Sequence, residues 1–243
     1  MLVKSKIKDI QTLGQKKFRE QEGLFIAEGP KVVSELLESG SGNVKEVFAL
    51  KDWIGENKKL LGKTTVTEIS EKELERISGL TTPNKVLAIV QQFDRRTPGA
   101  TKGKITLVLD AVQDPGNLGT IIRIADWFGV EQIVCSADTA DVYNSKVVQA
   151  TMGSIARMKI FYRDIPAWLA DQHDIQKYAA VLDGTDVTTI KKISEGIIIF
   201  GNESRGISAE VLKCADIKLT IPKKGKAESL NVAVAVGIIL SHL

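Results

Sequence analysis

The sequence predicts an α/β protein with a mainly parallel sheet flanked by helices, preceded by a smaller α/β domain. After about residue 104, short segments rich in Val, Ile and Leu alternate with helical segments, which is typical of strands buried on both faces of a parallel sheet. Residues 92–103 combine charge, Pro98 and two glycines without apolar periodicity, which indicates a linker. We therefore expect a first domain over 1–93, a linker over 94–103 and a second domain over 104–243.

The N-terminal part contains patterns for both helices and strands. The predicted helices cover 5–20, 30–39 and 71–78. The predicted strands are Val44–Leu50, Thr64–Ile69 and Val86–Phe93. A unit of this size can bury a core of its own.

The C-terminal part shows five strand patterns with helical segments between them. The strands are predicted at Ile105–Val112, Gln132–Ser136, Ala179–Leu182, Ile197–Gly201 and Ile217–Ile221. The helices are predicted at 118–128, 144–152, 166–171 and 208–214. The last segment, 229–243, is apolar on almost every face, with Ser229 as its predicted N-cap. Such a helix needs cover on several sides, from the core, from a second subunit or from both.

Composition excludes several classes of protein. The 243 residues are 43% hydrophobic and 26% charged, which is ordinary for a globular protein and unlike a disordered one. The start MLVKSKIKDI has no apolar signal-peptide core, and no apolar run reaches transmembrane length, so we expect a cytoplasmic protein without a membrane partner. Cys135 and Cys214 can form no disulfide framework and lack metal-ligand spacing, so no metal is expected.

The small net charge of +3 is unevenly distributed along the chain. Residues 1–100 contain 17 Lys and Arg against 14 Asp and Glu, whereas residues 101–243 contain 16 of each. The first segment is the most basic, with Lys4, Lys6, Lys8 and Arg19 among its cations. These side chains form either a solvated helix face or a surface that contacts phosphates.

Three loops that follow predicted strands are rich in Gly, Asn and small polar residues. They are 110–123 (DAVQDPGNLGTIIR), 201–206 (GNESRG) and 221–231 (IPKKGKAESLN). In open α/β sheets, ligands bind at loops beyond the carboxyl ends of strands. None of the three matches a dinucleotide fingerprint or a P-loop. Taken singly, the second is also compatible with a turn carrying a surface ion pair, and Ser229 and Asn231 with simple helix caps.

Together, the three loops resemble the motifs of the SpoU family of RNA 2′-O-ribose methyltransferases, within the knotted SPOUT class. Asn117-Leu-Gly-Thr-Ile-Ile-Arg123 is similar to motif 1, and Ile199-Phe-Gly-Asn-Glu203 with Gly206 is similar to motif 2. Ile221-Pro-Lys-Lys-Gly225, followed by Ser229-Leu-Asn-Val232, is similar to motif 3. The N-terminal Gly23-Leu-Phe-Ile-Ala-Glu-Gly29 resembles the family's L30e-like substrate-binding domain.

The resemblance implies a C-terminal trefoil knot, a homodimer packed through the catalytic domain, and S-adenosyl-L-methionine as methyl donor. It assigns the catalytic positions to Arg123, Asn117, Glu203, Ser229 and Asn231. It places the donor against Gly201, Ile221 and Leu230, with Leu182 as a weaker candidate. Lys4, Lys6, Lys8 and Arg19 are the expected RNA contacts, and rRNA is favoured over tRNA because of the extra N-terminal domain.

Some positions depart from the usual family pattern. Lys223 stands where Met is frequent, Ala233 where Ser is common, and Asn202 where a small residue or Pro is frequent. Two other readings of the sequence stay open. One is a non-catalytic RNA-binding or ribosome assembly factor with the same fold, and the other is a relative that methylates a base instead of a ribose.

Overall fold

The chain folds into two compact units. The computed structural model describes residues 2–40, 43–93, 98–99 and 101–243. Unit 1 comprises residues 1–94 and 141–156, and unit 2 comprises 95–140 and 157–243. Of the predicted linker, residues 94–97 and 100 lie outside the described ranges. The segment 141–156, which follows two strands of unit 2 in the sequence, is part of unit 1.

Unit 1 is built on a four-stranded sheet in the order β1-β4-β2-β3. The strands are β1 (Leu24–Glu28), β2 (Val44–Ala49), β3 (Thr65–Glu68) and β4 (Val86–Gln91). The helices are α1 (Lys4–Thr12), α2 (Lys16–Glu22), α3 (Pro30–Glu38), α4 (Lys51–Glu56), α5 (Lys58–Leu61), α6 (Glu71–Ile77) and α8 (Ser145–Ala150). Buried Ile10, Phe48, Leu74 and Leu87 tie α1, α6 and the sheet into one core.

Unit 2 is built on a six-stranded parallel sheet in the order β10-β8-β9-β5-β6-β7. The strands are β5 (Ile105–Leu109), β6 (Gln132–Cys135), β7 (Lys159–Tyr162), β8 (Lys177–Asp186), β9 (Gly196–Phe200) and β10 (Ile217–Thr220). The helices are α7 (Pro115–Trp127), α9 (Ile165–Ala170), α10 (Ala209–Lys213) and α11 (Val232–Leu240). Every residue of β9 is buried, as expected for a central strand covered on both faces. The predicted parallel sheet flanked by helices is confirmed; the trefoil knot stays a prediction.

Several predicted boundaries change. The helix predicted over 5–20 is two helices, because the chain turns at Leu13–Gln15. Strands β1 and β7 were not predicted, since apolar runs this short cannot be separated from other buried segments by periodicity. The final helix begins at Val232, and its N-cap is Asn231, not Ser229. Among the described residues, no helix is both long and apolar enough to cross a membrane.

Arg19, expected above to contact RNA, is buried inside unit 1 and is only 4% exposed. Its Nη1 donates to the carbonyls of Leu13 and Gly14, at 3.0 and 2.8 Å. Its Nη2 donates to the Asp141 carboxylate at 2.6 Å. A guanidinium enclosed in this way cannot reach a phosphate, so the structure corrects this expectation. Arg19 instead fastens segment 141–156 to the turn between α1 and α2.

We expect Asp141→Ala to destabilise the protein, because it leaves the Arg19 guanidinium buried without its counter-ion. The free energy of unfolding should fall by about 3 kcal/mol, the lower end of the range for breaking a buried pair, since Asp141 retains some exposure. Urea denaturation measures the change. Asp9→Ala, which removes an exposed carboxylate from the same unit, is the matched control and should cost less than about 0.5 kcal/mol. Equal stabilities for the two variants would contradict this role of Arg19.

Candidate active site

The three loops singled out in the sequence lie at the carboxyl edge of the sheet in unit 2. From β5 the chain runs outward through β6 to β7, then returns to the other side of β5 for β8, β9 and β10. The strand order therefore reverses at β5 and β9, which is where ligands bind in open parallel sheets. The loops after β5 and β9 leave from adjacent strands, and the loop after β10 leads into α11.

One asparagine side chain joins all three loops. Asn117 Nδ2 donates to Glu203 Oε1, and Asn231 Nδ2 donates to Asn117 Oδ1, both at 2.9 Å. Asn231 Oδ1 accepts the N–H groups of Ala233 and Val234 at the start of α11. A carboxylate only accepts and a backbone N–H only donates, so both carboxamide orientations are fixed by their partners. The sequence predicted all three residues for the site, and the structure places them in contact.

The position of Asn117 is itself set by the N-cap of α7. Asp114 Oδ1 accepts the Asn117 N–H at 2.7 Å, and Pro115 occupies the first helical position. Both features are typical of a helix start. Asn117 therefore lies in the first turn of α7, and its carboxamide contacts the loops after β9 and β10.

The loops after β5 and β9 are further locked together at Ala111, which has a φ of +60°. Its N–H donates to Ser136 Oγ, and its carbonyl accepts from Asn202 Nδ2, both at 2.8 Å. The Asp110 carboxylate accepts the Ser208 N–H at 2.7 Å. A left-handed non-glycine residue costs on the order of 1–3 kcal/mol, so these hydrogen bonds hold a strained conformation in place.

The loop after β9 is a tight turn that only glycine allows at its base. Asn202 and Gly206 exchange two backbone hydrogen bonds of 2.9 Å, and Asn202 Oδ1 accepts the N–H groups of Ser204 and Arg205. A Cβ on Gly201 would lie 2.1 Å from the carbonyl carbon of Gly206. Gly201 therefore permits the turn that directs Glu203 toward Asn117, whether or not it also contacts a ligand.

A pocket of about 820 Å³ opens beside this network. Its walls come from the loops after β9 and β10, the middle of β8 and one face of α11, and the predicted residues among its lining are Leu182, Gly201, Glu203, Ile221, Ser229 and Leu230. Cavities of roughly 300–1,000 Å³ are the usual size for small-molecule ligands. Asn117 and Asn231 border the pocket through their contacts but are not part of its lining.

A bulge in β8 supplies one wall, and sequence reasoning missed it. Ala179 pairs with Lys218 and Thr185 with Leu219, so residues 180–184 leave the β-ladder between two consecutive partners. Gly184 makes this possible, because a Cβ there would lie 2.7 Å from the Lys218 carbonyl oxygen. The bulge exposes 78% of Leu182, whose carbonyl accepts a 3.1 Å hydrogen bond from Thr220. Gly184 after an apolar run is a sequence signal for such a bulge.

Arg123 lies apart from the network. It is exposed on α7, about 9 Å farther along the helix axis than Asn117. No hydrogen bond or ion pair joins its guanidinium to a residue within the described parts of the chain. The structure thus places a cation without a protein partner on the helix that carries Asn117.

The basic residues predicted for RNA binding differ in availability. Lys4 and Lys8 are exposed on α1. The Lys6 ammonium pairs with Glu46 and lies 5.4 Å from the centre of the Phe48 ring. The Lys6 charge is therefore used in a contact within unit 1. Lys4 and Lys8 are the cations of α1 that a ligand could contact.

Comparison with known proteins identifies the family. Residues 104–241 match the SpoU rRNA Methylase family, and residues 4–88 match the MRM3-like substrate binding domain. The chain belongs to the SpoU rRNA methylase family. It is 34% identical to the 23S rRNA (guanosine(2553)-2′-O)-methyltransferase RlmP of Bacillus subtilis, over 98% of this chain and 95% of that protein.

Solved structures of SpoU-family proteins have the same fold. An AdoMet-bound rRNA methyltransferase from Sinorhizobium meliloti matches with a TM-score of 0.87 and 32% identity, over 100% of this chain and 95% of that one. The AviRb SpoU methyltransferase from Streptomyces viridochromogenes, also with AdoMet, matches in fold with a TM-score of 0.84 and 24% identity, over 99% and 97%. Within the described residues of this SpoU-family chain, no group of three or more His, Cys, Asp or Glu side chains could hold a metal ion.

Asn117→Asp should disrupt the link between the three loops, because it replaces the amide donor facing Glu203 with a second carboxylate. Losing a hydrogen bond to a charged group costs about 1.5–3 kcal/mol, so we expect methyl transfer to RNA to fall by roughly 10- to 100-fold in kcat/KM. Incorporation of labelled methyl groups into RNA measures the loss.

The matched control is Asn144→Asp, the same substitution at the N-cap of α8, where the side chain only accepts a backbone N–H. Aspartate is an equally good cap, so this variant should keep its activity. A similar loss in both variants would show that the effect does not arise from the contact with Glu203.

Proposed function

We propose that this chain transfers a methyl group from S-adenosylmethionine to a ribose 2′-hydroxyl of RNA, with large-subunit rRNA as the substrate. The observation that carries the proposal is the Glu203–Asn117–Asn231 network beside a pocket of ligand size, in a chain of the SpoU family. The similarity to RlmP over nearly both whole chains favours rRNA over tRNA. We also propose that the protein is cytoplasmic, because its proposed substrate is rRNA.

The pocket suits a donor that is recognised largely through backbone groups. From Lys223 to Leu230, no backbone N–H donates to a backbone carbonyl within the described residues. These unpaired groups line the same cavity as Gly201, Ile221 and the exposed Leu182. The donor would be held by the backbone groups of four residues and by the two leucine side chains among them. These residues are Gly201, Ile221, Leu230 and Leu182.

S-adenosylmethionine supplies a methyl group on a positively charged sulfur, which departs as a neutral thioether. The protein must then position the 2′-oxygen and stabilise the negative charge that develops on it as its proton passes to solvent water, before the oxygen takes the methyl group. A guanidinium is normally charged, so we assign Arg123 to positioning and stabilising that oxygen, not to abstracting the proton. Asn117 and Glu203 fix the loops around it. Ser229 lines the side of the pocket that receives the nucleotide, and Asn231 borders that side through its contact with Asn117.

The N-terminal region is proposed to bind the RNA. It matches a substrate-binding domain, and Lys4 and Lys8 present exposed charges on its first helix. In this assignment residues 1–93 capture the substrate and residues 104–243 carry the donor and the chemistry. The small overall charge is compatible with this division, since its excess falls within residues 1–100.

Arg123→Ala should abolish methyl transfer while leaving the affinity for the donor close to that of the natural protein. The side chain does not line the pocket, so its removal leaves the donor contacts intact. Calorimetry measures donor binding, and mapping of 2′-O-methyl groups on rRNA measures transfer. Near-normal turnover by Arg123→Ala would contradict the assigned role. Absence of donor binding by the natural protein would instead favour the non-catalytic RNA-binding alternative.

We also propose that the chain is a homodimer that packs through α7 and α11. These helices contact each other, with Ile124 beside Gly237, yet Trp127 is 85% exposed and Val234 is 50% exposed. Phe128 adds a further exposed aromatic ring at the end of α7. Apolar side chains grouped in this way are typical of a subunit interface.

Trp127→Glu should convert the dimer to a monomer, because it buries a charge in the proposed interface. Light scattering coupled to size-exclusion chromatography measures the mass. Lys192→Gln, an exposed substitution outside both helices that also lowers the net charge by one, should leave the mass unchanged. A natural protein that is monomeric at micromolar concentration would overturn the proposal.

A further inference from the structure

We propose that Lys223 and Lys224 bind the phosphodiester next to the target ribose and so place the nucleotide in the pocket. This inference rests on the proposed function. It concerns the C-terminal domain, to which the sequence alone assigned only the donor and the chemistry; the net charge of residues 101–243 is zero.

The two lysines lie on an exposed segment at the pocket. Both line the cavity, and every residue from Pro222 to Asn231 is exposed. Within the described residues, neither ammonium group has an ion pair or a hydrogen bond. The segment has no helix or strand, so nothing in the protein already uses these charges.

Cations outnumber carboxylates by one in the pocket lining. Its four cations are Arg205, Lys218, Lys223 and Lys224, and its three carboxylates are Asp183, Glu203 and Glu228. Glu203 is already hydrogen-bonded to Asn117, and Lys226 adds a further cation within the same segment. Lys223 and Lys224 are consecutive, so they place two positive charges close together at the pocket, and such a pair raises the local concentration of anions.

The chemistry of the substrate brings a phosphate to this place. In RNA, the carbon that bears the 2′-hydroxyl is bonded to the carbon that bears the 3′-phosphodiester. Any nucleotide whose 2′-oxygen enters the pocket therefore carries a negative charge to the pocket rim. Contacts to phosphate fix the register of a nucleic acid without reading its sequence, which is the task that placing a ribose requires.

The donor is a less suitable partner for these lysines. S-adenosylmethionine has one carboxylate, which a single cation can pair, and a positively charged sulfonium that a cluster of ammonium groups would repel. Long, flexible lysine side chains instead suit a mobile chain of phosphates, to which each contributes as a point charge. The geometry therefore favours RNA as the ligand of Lys223 and Lys224.

The test compares two double variants of equal charge. The test variant combines Lys223→Gln with Lys224→Gln and so removes the proposed contacts. The control variant combines Lys191→Gln with Lys192→Gln and removes two exposed charges of unit 2 that do not line the pocket. The probe is an unmethylated 23S rRNA transcript, with its affinity measured by filter binding over a range of salt concentrations. Donor affinity is measured by calorimetry and the melting temperature by calorimetric scanning.

Removing two phosphate contacts should flatten the slope of log affinity against log salt by about 1.4 for single-stranded RNA, and by about 1.8 if the RNA there is helical. The KM for RNA should rise, while donor affinity and melting temperature stay those of the natural protein. The control pair should keep the natural slope.

Two results would overturn the inference. One is an equal slope for the two double variants, and the other is a loss of donor affinity in Lys223→Gln with Lys224→Gln, which would assign the lysines to the donor carboxylate. Failure of the proposed function gives a different result, because the natural protein would then transfer no methyl group to any RNA and would not bind the donor.

Discussion

The candidate site depends on a single carboxamide that is hydrogen-bonded at both ends. Asn117 donates to Glu203 and accepts from Asn231, so its two bonds join three loops that are far apart in the sequence. Glu203 and Asn231 are exposed and Asn117 is half-buried, so none of the three side chains belongs to the hydrophobic core. The value of this bridge is therefore geometric, since it sets the relative positions of the pocket wall, the start of α11 and the helix that carries Arg123.

The rigid sheet beneath these loops makes that geometry possible. Parallel strands β5 and β9 are neighbours, and the buried isoleucines of β9 hold them in fixed register. Ala111 and Gly201 then take backbone arrangements that most residues would resist, and Ser136 and Asn202 hold Ala111 in place. Strain at the loop is thus supported by hydrogen bonds from two adjacent loops, as is common near functional sites.

The position of each basic side chain says more about function than the net charge of the chain does. Arg19 and Lys6 use their charge inside unit 1, against Asp141 and Glu46. Lys223 and Lys224, after β10, have no such partner among the described residues and line a cavity in a stretch, residues 101–243, whose net charge is zero. A count of basic residues along the sequence cannot separate these two uses, because burial and pairing decide which ammonium or guanidinium groups reach a ligand.

The sequence by itself determined the type of fold and most elements of the sheet in unit 2. Short Val- and Ile-rich runs indicated buried parallel strands, and Gly, Asn and Ser after those runs indicated the loops of the site. These signals are local, since burial on both faces and tight turns each demand particular residues. The sequence also selected Asn117, Glu203 and Asn231, although it could not show that they touch.

Tertiary structure alone decided where each of these side chains is used. It buried Arg19 against Asp141, gave the cap of α11 to Asn231 in place of Ser229, and left Arg123 without a partner among the described residues. It also assigned segment 141–156 to unit 1 and opened the bulge at 180–184 that forms a wall of the pocket. Each outcome depends on contacts between residues distant in the chain, and local propensity carries no information about such contacts.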